Sequence, residues 1–336
     1  MKANKLCMRA GAPWPCMYSI AALYALISCN LANAQSFPDK PVTVIIPFAA
    51  GGPTDALGRV ISQSMSSNLG TSVVVDNVTG AGGTLARQRV AQARPDGYTL
   101  LLAGLGTATS VTLYRNLTFD PVQSFDTVGL IAKVPMVLVG RKDLPARDIG
   151  ELVKYVTTNK EKVTFGDGGI GSGSQFCGLL LMSSLQVKMT TISYRGSGPA
   201  MLDLIGGRID LLCDQTTTTL SHIGSGMIKG YATTVKGRIA SAPDLPALNE
   251  SGLRDFELSN WYGFMLRKGT PRPIVEQLAK ALRASLNDPL VIKRFGEFGA
   301  IPARQELATP EAFNTFFRAE VDKWAPIIKA AGIYAD

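Results

Sequence analysis

The chain contains only one histidine, His222, and it falls at the start of a Thr-rich helical stretch. The sequence has no Gly-x-Ser-x-Gly elbow, so a Ser-His-Asp hydrolase would depend on this one base. It also lacks a Gly-x-x-x-x-Gly-Lys phosphate loop, and its Cys, His, Asp and Glu residues show no metal-site spacing. These absences argue against an enzyme and against a bound metal or cofactor.

Two further signatures are missing. The turn Gly80-x-Gly82 is followed three residues later by Leu85, and Gly104-x-Gly106 by Thr109, so neither is a dinucleotide fingerprint. The net charge is +8, yet no run of basic residues could hold nucleic acid. We therefore expect neither a nucleotide cofactor nor a nucleic-acid partner, although a moderate positive excess can attract small anions.

Cysteine is scarce outside the first 34 residues. Three of the five cysteines (Cys7, Cys16 and Cys29) lie there, which leaves Cys177 and Cys213 in the rest of the chain. These two can form one disulfide in an oxidising compartment or remain two buried thiols, and the sequence leaves both possibilities open.

Residues 1–34 have the pattern of a signal peptide. Basic residues precede an apolar stretch, Met17–Ser28, that is too short to span a bilayer, and Ala32-Asn33-Ala34 is a small-x-small cleavage signal. We expect periplasmic export and a mature chain that starts near Gln35. Leu26-Ile27-Ser28-Cys29 also fits a lipoprotein site, but we favour soluble export because the Ala-x-Ala site lies immediately before the predicted start of the folded domain.

The stretch Val42–Asp55 predicts a buried strand that leads into a helix. Its β-branched residues show no polar alternation, which is typical of a parallel strand covered on both faces. Gly51 and Gly52 permit a tight turn, and Pro53 suits the first helical position. The free amides at the helix start favour an anion, most simply a carboxylate. An ordinary strand-to-helix connection capped by Asp55 explains the same residues.

Strands and helices alternate through the chain, which predicts an α/β fold built from two βαβ series. The predicted strands are Val42–Phe48, Ser72–Asn77, Tyr98–Gly104, Leu130–Val139, Val163–Phe165, Thr190–Tyr194, Ile209–Asp214, Gly230–Val235 and Trp261–Leu266. The predicted helices cover residues 53–69, 83–93, 148–157, 173–185, 198–206, 217–223, 271–286, 288–298 and 309–331. We predict a first lobe of residues 35–138 and 262–336 and a second lobe of residues 139–261. The predicted hinges lie near 137–140 and 259–262.

Glycine-rich and polar loops follow several of the predicted strands, where open α/β sheets bind their ligands. The side chains expected in the cleft are Thr107, Ser172, Ser174, Gln215, Thr216 and the cation Arg195. With backbone amides they can hold an organic anion, but they offer no proton relay. The planar guanidinium of Arg195 suits a carboxylate, although many loop arginines are simply solvated.

Six stretches in this order carry a family resemblance: PVTVIIPFAAGGPTD, SVVVDNVTGAGGTLA, ARPDGYTLLLAG, LYRNLTFDP, YRGSGPAMLDLIGGRIDLLCD and NWYGFMLRKGTPRPIV. From Phe37 to the C-terminus the chain resembles the extracytoplasmic solute receptors of tripartite tricarboxylate transporters, the Bug receptors. The resemblance implies a two-lobed type II periplasmic binding protein, each lobe a doubly wound and mainly parallel sheet, with the ligand cleft between the lobes. The implied partners are a small organic carboxylate and a membrane permease, and the implied state is a monomer.

The resemblance also implies a set of binding residues. In the family, the turn that matches Phe48–Asp55 holds a ligand carboxylate through backbone amides and ordered waters, and the second lobe contributes Ser172, the Tyr194-Arg195-Gly loop and Asp214. The full predicted set is Phe48, Ala49, Ala50, Gly51, Gly52, Asp55, Thr107, Ser172, Gly173, Ser174, Tyr194, Arg195, Asp214, Gln215 and Thr216. At Gly52 we expect backbone angles that a β-branched residue cannot readily adopt.

The ligand is open between mono- and dicarboxylates. Phe48, Tyr194 and Arg195 could flank a planar ring, which gives a slight lean towards an aromatic carboxylate. Many relatives have Lys at the position of Arg195 and His or Ser at that of Gln175, and these departures can retune the far end of the cleft. A secreted enzyme acting on an anionic substrate and a periplasmic sensor are the alternative functions.

Overall fold

A computed structural model describes residues 37–253 and 256–335. The predicted signal peptide and its cleavage site lie outside the described residues. From Lys40 onward the chain forms one compact unit. Among the described residues, no helix has the length and apolar character needed to cross a bilayer.

Ten strands and ten α-helices make up the described part of the chain. The strands are β1 Val42–Ile46, β2 Val73–Asn77, β3 Thr99–Gly104, β4 Phe125–Arg141, β5 Thr164–Asp167, β6 Thr190–Ser193, β7 Leu211–Gln215, β8 Ile228–Thr233, β9 Ser259–Arg267 and β10 Ile301–Pro302. The α-helices are α1 Pro53–Leu69, α2 Thr84–Ala91, α3 Leu105–Leu113, α4 Ile149–Asn159, α5 Gly173–Leu185, α6 Ser197–Ile205, α7 Thr216–Gly224, α8 Arg272–Leu286, α9 Pro289–Glu297 and α10 Pro310–Ala331. Short 3₁₀ turns lie at Ala81–Gly83, Lys160–Lys162 and Leu248–Ser251.

The strands form one curled sheet in the order β2-β1-β3-β9-β4-β7-β5-β6, and β8 and β10 pair with β4. Strand β1 is parallel to β2 and β3, and β5 is parallel to β6 and β7. Between these sets, β9 is antiparallel to β3 and β4. The mixed α/β class predicted from the alternating pattern is confirmed.

The long strand β4 joins two groups of strands. It pairs with β9 as far as Pro135, and from Met136 onward it pairs with β7. We call β1, β2, β3, β9 and β10, with Phe125–Pro135, the first strand group. The second strand group comprises β5, β6, β7 and β8, with residues 136–141. The change of partner lies just before the hinge expected near 137–140.

Two segments differ from the sequence-based prediction. Residues that follow β3 were expected to form a loop, but α3 begins directly at Leu105 after the extended Gly104. Strand β4 begins at Phe125 rather than Leu130, because its first residues pair antiparallel with the end of β9. In both cases the glycine-rich or polar local sequence indicated a loop, and contacts with distant strands and helices determined the outcome.

Each strand group has its own apolar core. Ile45, Leu101, Trp261 and Phe313 belong to the first, and Leu138, Phe165, Phe176 and Trp324 belong to the second. Helix α10 contributes to both cores, since Trp324 packs against Phe176 with ring centroids 4.9 Å apart. The helix therefore fastens the C-terminal segment across both strand groups.

Cys177 on α5 and Cys213 on β7 form a disulfide. The Cα atoms lie 6.2 Å apart, and both residues are buried in the core of the second strand group. Of the two possibilities that the sequence left open, the structure therefore has the disulfide.

Candidate functional site

A narrow cleft lies where the turn after β1 faces the loops of the second strand group. Its cavity volume is about 20 Å³, which is room for about one water molecule. The lining residues are Phe48, Ala49, Gly52, Pro53, Thr54, Met136, Gly168, Ser172, Gly173, Ser174, Ser197, Asp214, Gln215 and Asn260. Eight of these were predicted from the sequence: Phe48, Ala49, Gly52, Ser172, Gly173, Ser174, Asp214 and Gln215.

The two walls of the cleft touch each other. The Ala49 amide donates a hydrogen bond of 3.3 Å to the carbonyl oxygen of Arg195. Backbones also approach closely at Gly52, where a Cβ atom would lie 3.5 Å from the Gly198 nitrogen. The structure therefore has the walls closed against each other.

Asp55 shapes the first wall from behind. Its carboxylate accepts hydrogen bonds from the Gly51 amide (3.0 Å), Arg59 Nε (2.9 Å) and Asn77 Nδ2 (3.0 Å). Burial raises the pKa of Asp55, but the hydrogen bonds from Arg59, Gly51 and Asn77 outweigh it and leave the pKa below its ordinary value. Because its oxygen atoms are occupied, Asp55 holds the turn as a cap does and is not among the residues that line the cleft.

The backbone of the turn differs from the expectation at Gly52. Gly51 has a φ of +80°, which favours glycine, whereas Gly52 has φ −85° and ψ 174°. These extended angles suit any residue, so the expectation that the Gly52 backbone excludes β-branched residues was wrong. Gly52 is the N-cap of α1 and brings no side chain to the helix start. The amides of Thr54 and Asp55 lack an intrahelical acceptor, as the first amides of any helix do, and no cap side chain accepts from them. The helix start therefore carries partial positive charge.

Ser172 and Ser174 shape the second wall at the start of α5. Ser172 is the N-cap, and its Oγ accepts a 3.2 Å hydrogen bond from the Gln175 amide. Ser174 Oγ accepts a 2.6 Å hydrogen bond from the Gly168 amide, and the two hydroxyl oxygens are 3.3 Å apart. The loop that precedes the helix is thereby fixed with both hydroxyls beside the cleft. Gln175 Oε1 accepts from the Gly171 amide at 2.8 Å, so this side chain supports the same loop.

Asp214 lies buried at the end of β7 in the cleft lining. Its Oδ2 accepts a 2.7 Å hydrogen bond from Thr218 Oγ1, while Oδ1 has no hydrogen-bond partner among the described residues. Burial raises the pKa of Asp214 to about 6, against the opposing effects of Thr218, the Gln215 amide and the nearby Ser197 hydroxyl. Asp214 thus brings to the cleft lining a buried carboxyl oxygen that has no hydrogen-bond partner among the described residues.

The raised pKa predicts how the Asp214→Asn variant responds to pH. A carboxyl group whose pKa rises on folding contributes stability below its unfolded pKa, and this contribution is lost as the pH rises through about 6. From pH 4 to pH 7 the ligand-free variant should therefore gain about 2 kcal/mol in unfolding free energy relative to wild type. Urea denaturation at both pH values measures the difference.

The Asp55→Asn variant is the matched control, because the pKa of Asp55 is lowered rather than raised. Its stabilising contribution is present above the unfolded pKa, so this variant should lose stability relative to wild type as the pH rises. If both variants change in the same direction, the buried charge of Asp214 is not the cause.

Tyr262 on β9 connects the two walls, and the sequence analysis missed it. Its hydroxyl donates to Gln215 Oε1 (2.8 Å), accepts from Asn260 Nδ2 (3.1 Å) and lies 2.9 Å from Thr54 Oγ1. Burial raises the pKa of Tyr262, so the phenol stays protonated. Tyr262 and Asn260 occur in the NWYGF stretch, which was noted for the family resemblance but not as part of the site.

Other predicted residues lie elsewhere. The Tyr194 hydroxyl donates to Asp203 Oδ2 at 2.7 Å, and Arg195 is exposed in an outer groove that Phe48 also lines. Tyr194 lines this groove as well, so Phe48, Tyr194 and Arg195 border one space outside the cleft, and the lean towards an aromatic carboxylate stays a prediction. Thr216 packs beside Gly299, where an added Cβ atom would lie 3.0 Å from the Thr216 Cβ.

Three predicted residues remain. Ala50 and Gly51 border a shallow surface groove beside Leu202 and His222, outside the cleft. Thr107 is buried on α3, where its Oγ1 accepts a 3.2 Å hydrogen bond from Arg87 Nε. The site as a whole offers amides, hydroxyls and one unpartnered carboxyl oxygen, and the described residues contain no His/Cys/Asp/Glu group that could hold a metal ion.

Comparisons with known proteins place these features in context. The family model "Tripartite tricarboxylate transporter family receptor" matches residues 57–333. The chain is 50% identical over 311 residues to the "UPF0065 protein in the TAR-I ttuE-ttuC' intergenic region" of Agrobacterium vitis, which covers 92% of this chain and 90% of the relative.

Two solved structures are also similar. The periplasmic binding protein BugD is 44% identical, with a TM-score of 0.86 over 89% of this chain and 99% of BugD. MatC from Rhodopseudomonas palustris, solved with bound malate, is 36% identical, with a TM-score of 0.83 over 87% of this chain and all of the MatC chain (100%). The fold is therefore that of periplasmic binding proteins of this kind.

Proposed function

The chain belongs to the tripartite tricarboxylate transporter receptor family, and we propose that it is an exported, monomeric receptor that captures a small organic carboxylate and delivers it to a membrane permease. The observation that carries this proposal is the closed cleft at the uncapped start of α1. Free amides at a helix start bind anions through hydrogen bonds and the helix dipole. Malate in the MatC structure supports a carboxylate ligand.

The chemistry of the cleft favours binding over catalysis. Asp214 is the only carboxyl group in the lining, and the lining holds no histidine, cysteine or lysine among the described residues. The lining therefore contains no Ser-His or Cys-His pair of the kind that activates a nucleophile. The Ser172 hydroxyl also accepts from the Gln175 amide, as an N-cap does.

We further propose that the chain has two lobes, residues 35–138 and 262–336 forming the first and 139–261 the second, which match the two strand groups except at residues 136–138 and 259–261. Their connection through β4 and the segment before β9 allows them to separate and close around a ligand. The Ala49–Arg195 hydrogen bond and the Tyr262 network would then form on closure. Such a closed form is the state that a permease would distinguish from the open receptor.

Ligand-induced stabilisation tests the proposal. A carboxylate that binds only the folded protein should raise the unfolding free energy by about 2.7 kcal/mol at a concentration of one hundred dissociation constants. Thermal denaturation with a panel of mono- and dicarboxylates would measure the effect, with the corresponding amides as neutral controls. Stabilisation by the amides but by none of the acids would contradict a carboxylate receptor, as would chemical conversion of a bound acid during incubation.

A further inference from the structure

Arg87 on α2 is a buried cation without a charged partner. Its side chain is 1% exposed, and none of the ion pairs in the described part of the chain includes it. Arginine is rarely buried unless it is paired, because removing the charge from water is costly. Arg87 therefore lacks the counter-ion that such a position ordinarily has.

The hydrogen bonds of Arg87 do not replace that counter-ion. Nε donates to Thr107 Oγ1 at 3.2 Å and Nη1 donates to the Gly82 carbonyl oxygen at 3.1 Å. Nη2 donates to no acceptor among the described residues. Burial lowers the pKa of Arg87 to about 10, against a small opposing effect of Tyr114. The guanidinium thus stays charged at neutral pH, with one end unpaired.

Glycines make room for this unpaired end. A Cβ atom at Gly106 would lie 2.6 Å from Nη2, and one at Gly83 would lie 3.3 Å from it. Any side chain at Gly106 would therefore displace the guanidinium. The two glycine-rich turns noted in the sequence form a cradle around Arg87.

The Arg87 cradle adjoins the ligand cleft. A small cavity of about 10 Å³ is lined by Arg87 and Gly106 and also by Phe48, Thr54, Ser172, Gly173 and Asn260. The last five residues also line the main cleft. The cavity therefore adjoins the cleft, and Arg87 forms part of its lining.

On the basis of the proposed function, we propose that Arg87 binds a second carboxylate of the ligand, so that the receptor selects dicarboxylates over monocarboxylates. The first carboxylate lies at the start of α1 and the second at the Arg87 guanidinium. A planar guanidinium is well matched to a carboxylate, and its charge strengthens the hydrogen bonds. The second carboxylate also supplies the missing counter-ion.

The test is calorimetric titration of wild type, Arg87→Met and Arg195→Met with matched acids. The pairs are succinate with butyrate, malate with 2-hydroxybutyrate, and adipate with hexanoate, in which a methyl group replaces one carboxylate. Wild type should prefer the dicarboxylate of each pair that it binds. Arg87→Met should weaken dicarboxylate binding about 10- to 100-fold and change monocarboxylate binding less than about threefold. Arg195→Met removes an exposed cation and should leave the preference intact.

Each other outcome is decisive. If Arg87→Met weakens both members of a pair equally, or neither, the assignment of the second carboxylate is wrong while the receptor function stands. If wild type binds both members equally well, selection of dicarboxylates is wrong. If wild type binds no acid in the panel, the proposed function fails with it. Should Arg87→Met not fold, Arg87→Lys retains the charge without the planar fork, and its preference for the dicarboxylate should still fall at least threefold.

Discussion

Replacing Gly82 with alanine is expected to weaken carboxylate binding by about 100-fold or more. Gly82 has a φ of +60°, and a Cβ atom there would lie 2.3 Å from the Ile170 carbonyl oxygen on the opposite wall. It would also lie 2.5 Å from the Tyr114 hydroxyl. Because a backbone carbonyl cannot move aside as a flexible side chain can, the two walls could not reach the closed arrangement. The ligand would lose the second wall, where two or three hydrogen bonds together contribute about 3 kcal/mol.

The Gly207→Ala variant controls for backbone strain. Gly207 has a similar φ of +71°, but a Cβ atom there meets nothing within 4 Å. Both variants place alanine in the left-handed region, which costs each about 1–2 kcal/mol of stability. Titration with the same acid should show the large loss only for Gly82→Ala, and small-angle scattering should show that it stays open at saturating ligand. If Gly82→Ala and Gly207→Ala bind the acid with equal affinity, the close approach of the two walls at Gly82 is not needed for binding.

Removing the Cys177–Cys213 disulfide should lower the unfolding free energy by about 4 kcal/mol. The bond closes a loop with a sequence separation of 36 residues, and the chain-entropy estimate for such a loop has this size. Urea denaturation of the double variant Cys177→Ala/Cys213→Ala measures the loss. The bond joins α5, which begins beside Ser172, to the strand that ends beside Asp214. Ligand affinity should therefore also fall in the double variant.

Wild type with a reducing agent provides the control for the disulfide. Reduction should lower wild-type stability towards that of the double variant, and the double variant itself should not respond to the reductant. Thiol titration of denatured, unreduced wild type, purified from an oxidising compartment, should find neither Cys177 nor Cys213 free. Two free thiols at these positions would show that the bond does not form.

Local sequence patterns predicted the elements of the fold well. The β-branched stretch before Pro47 and the Pro53 start of α1 are local signals, and the structure places the strand and helix there. The failure to predict helix α3 also has a physical cause. Gly104 and Gly106 resemble a turn, but Gly104 is extended and the helix begins directly after it. The local sequence pattern cannot show that α3 begins directly at the end of β3.

The site was harder to predict because its contacts join distant parts of the chain. Thr54 and Tyr262 are 208 residues apart, and nothing in either local sequence indicates that their hydroxyl groups meet. The sequence also drew attention to Arg195 because it follows a strand in a glycine-rich loop. Arg87, by contrast, looks like a solvent-facing residue of a polar helix, and only the approach of Gly106 shows that it is buried.

Mass spectrometry of the protein purified without added ligand, from the periplasm of cells supplied with mixed organic acids, tests directly whether the protein is a carboxylate receptor. We expect one small organic carboxylate per folded chain in the native spectrum, which is released unchanged when the protein unfolds. We also expect this acid to carry two carboxylates. A neutral or cationic ligand, or an acid recovered in a chemically altered form, would show that the protein is not a carboxylate receptor.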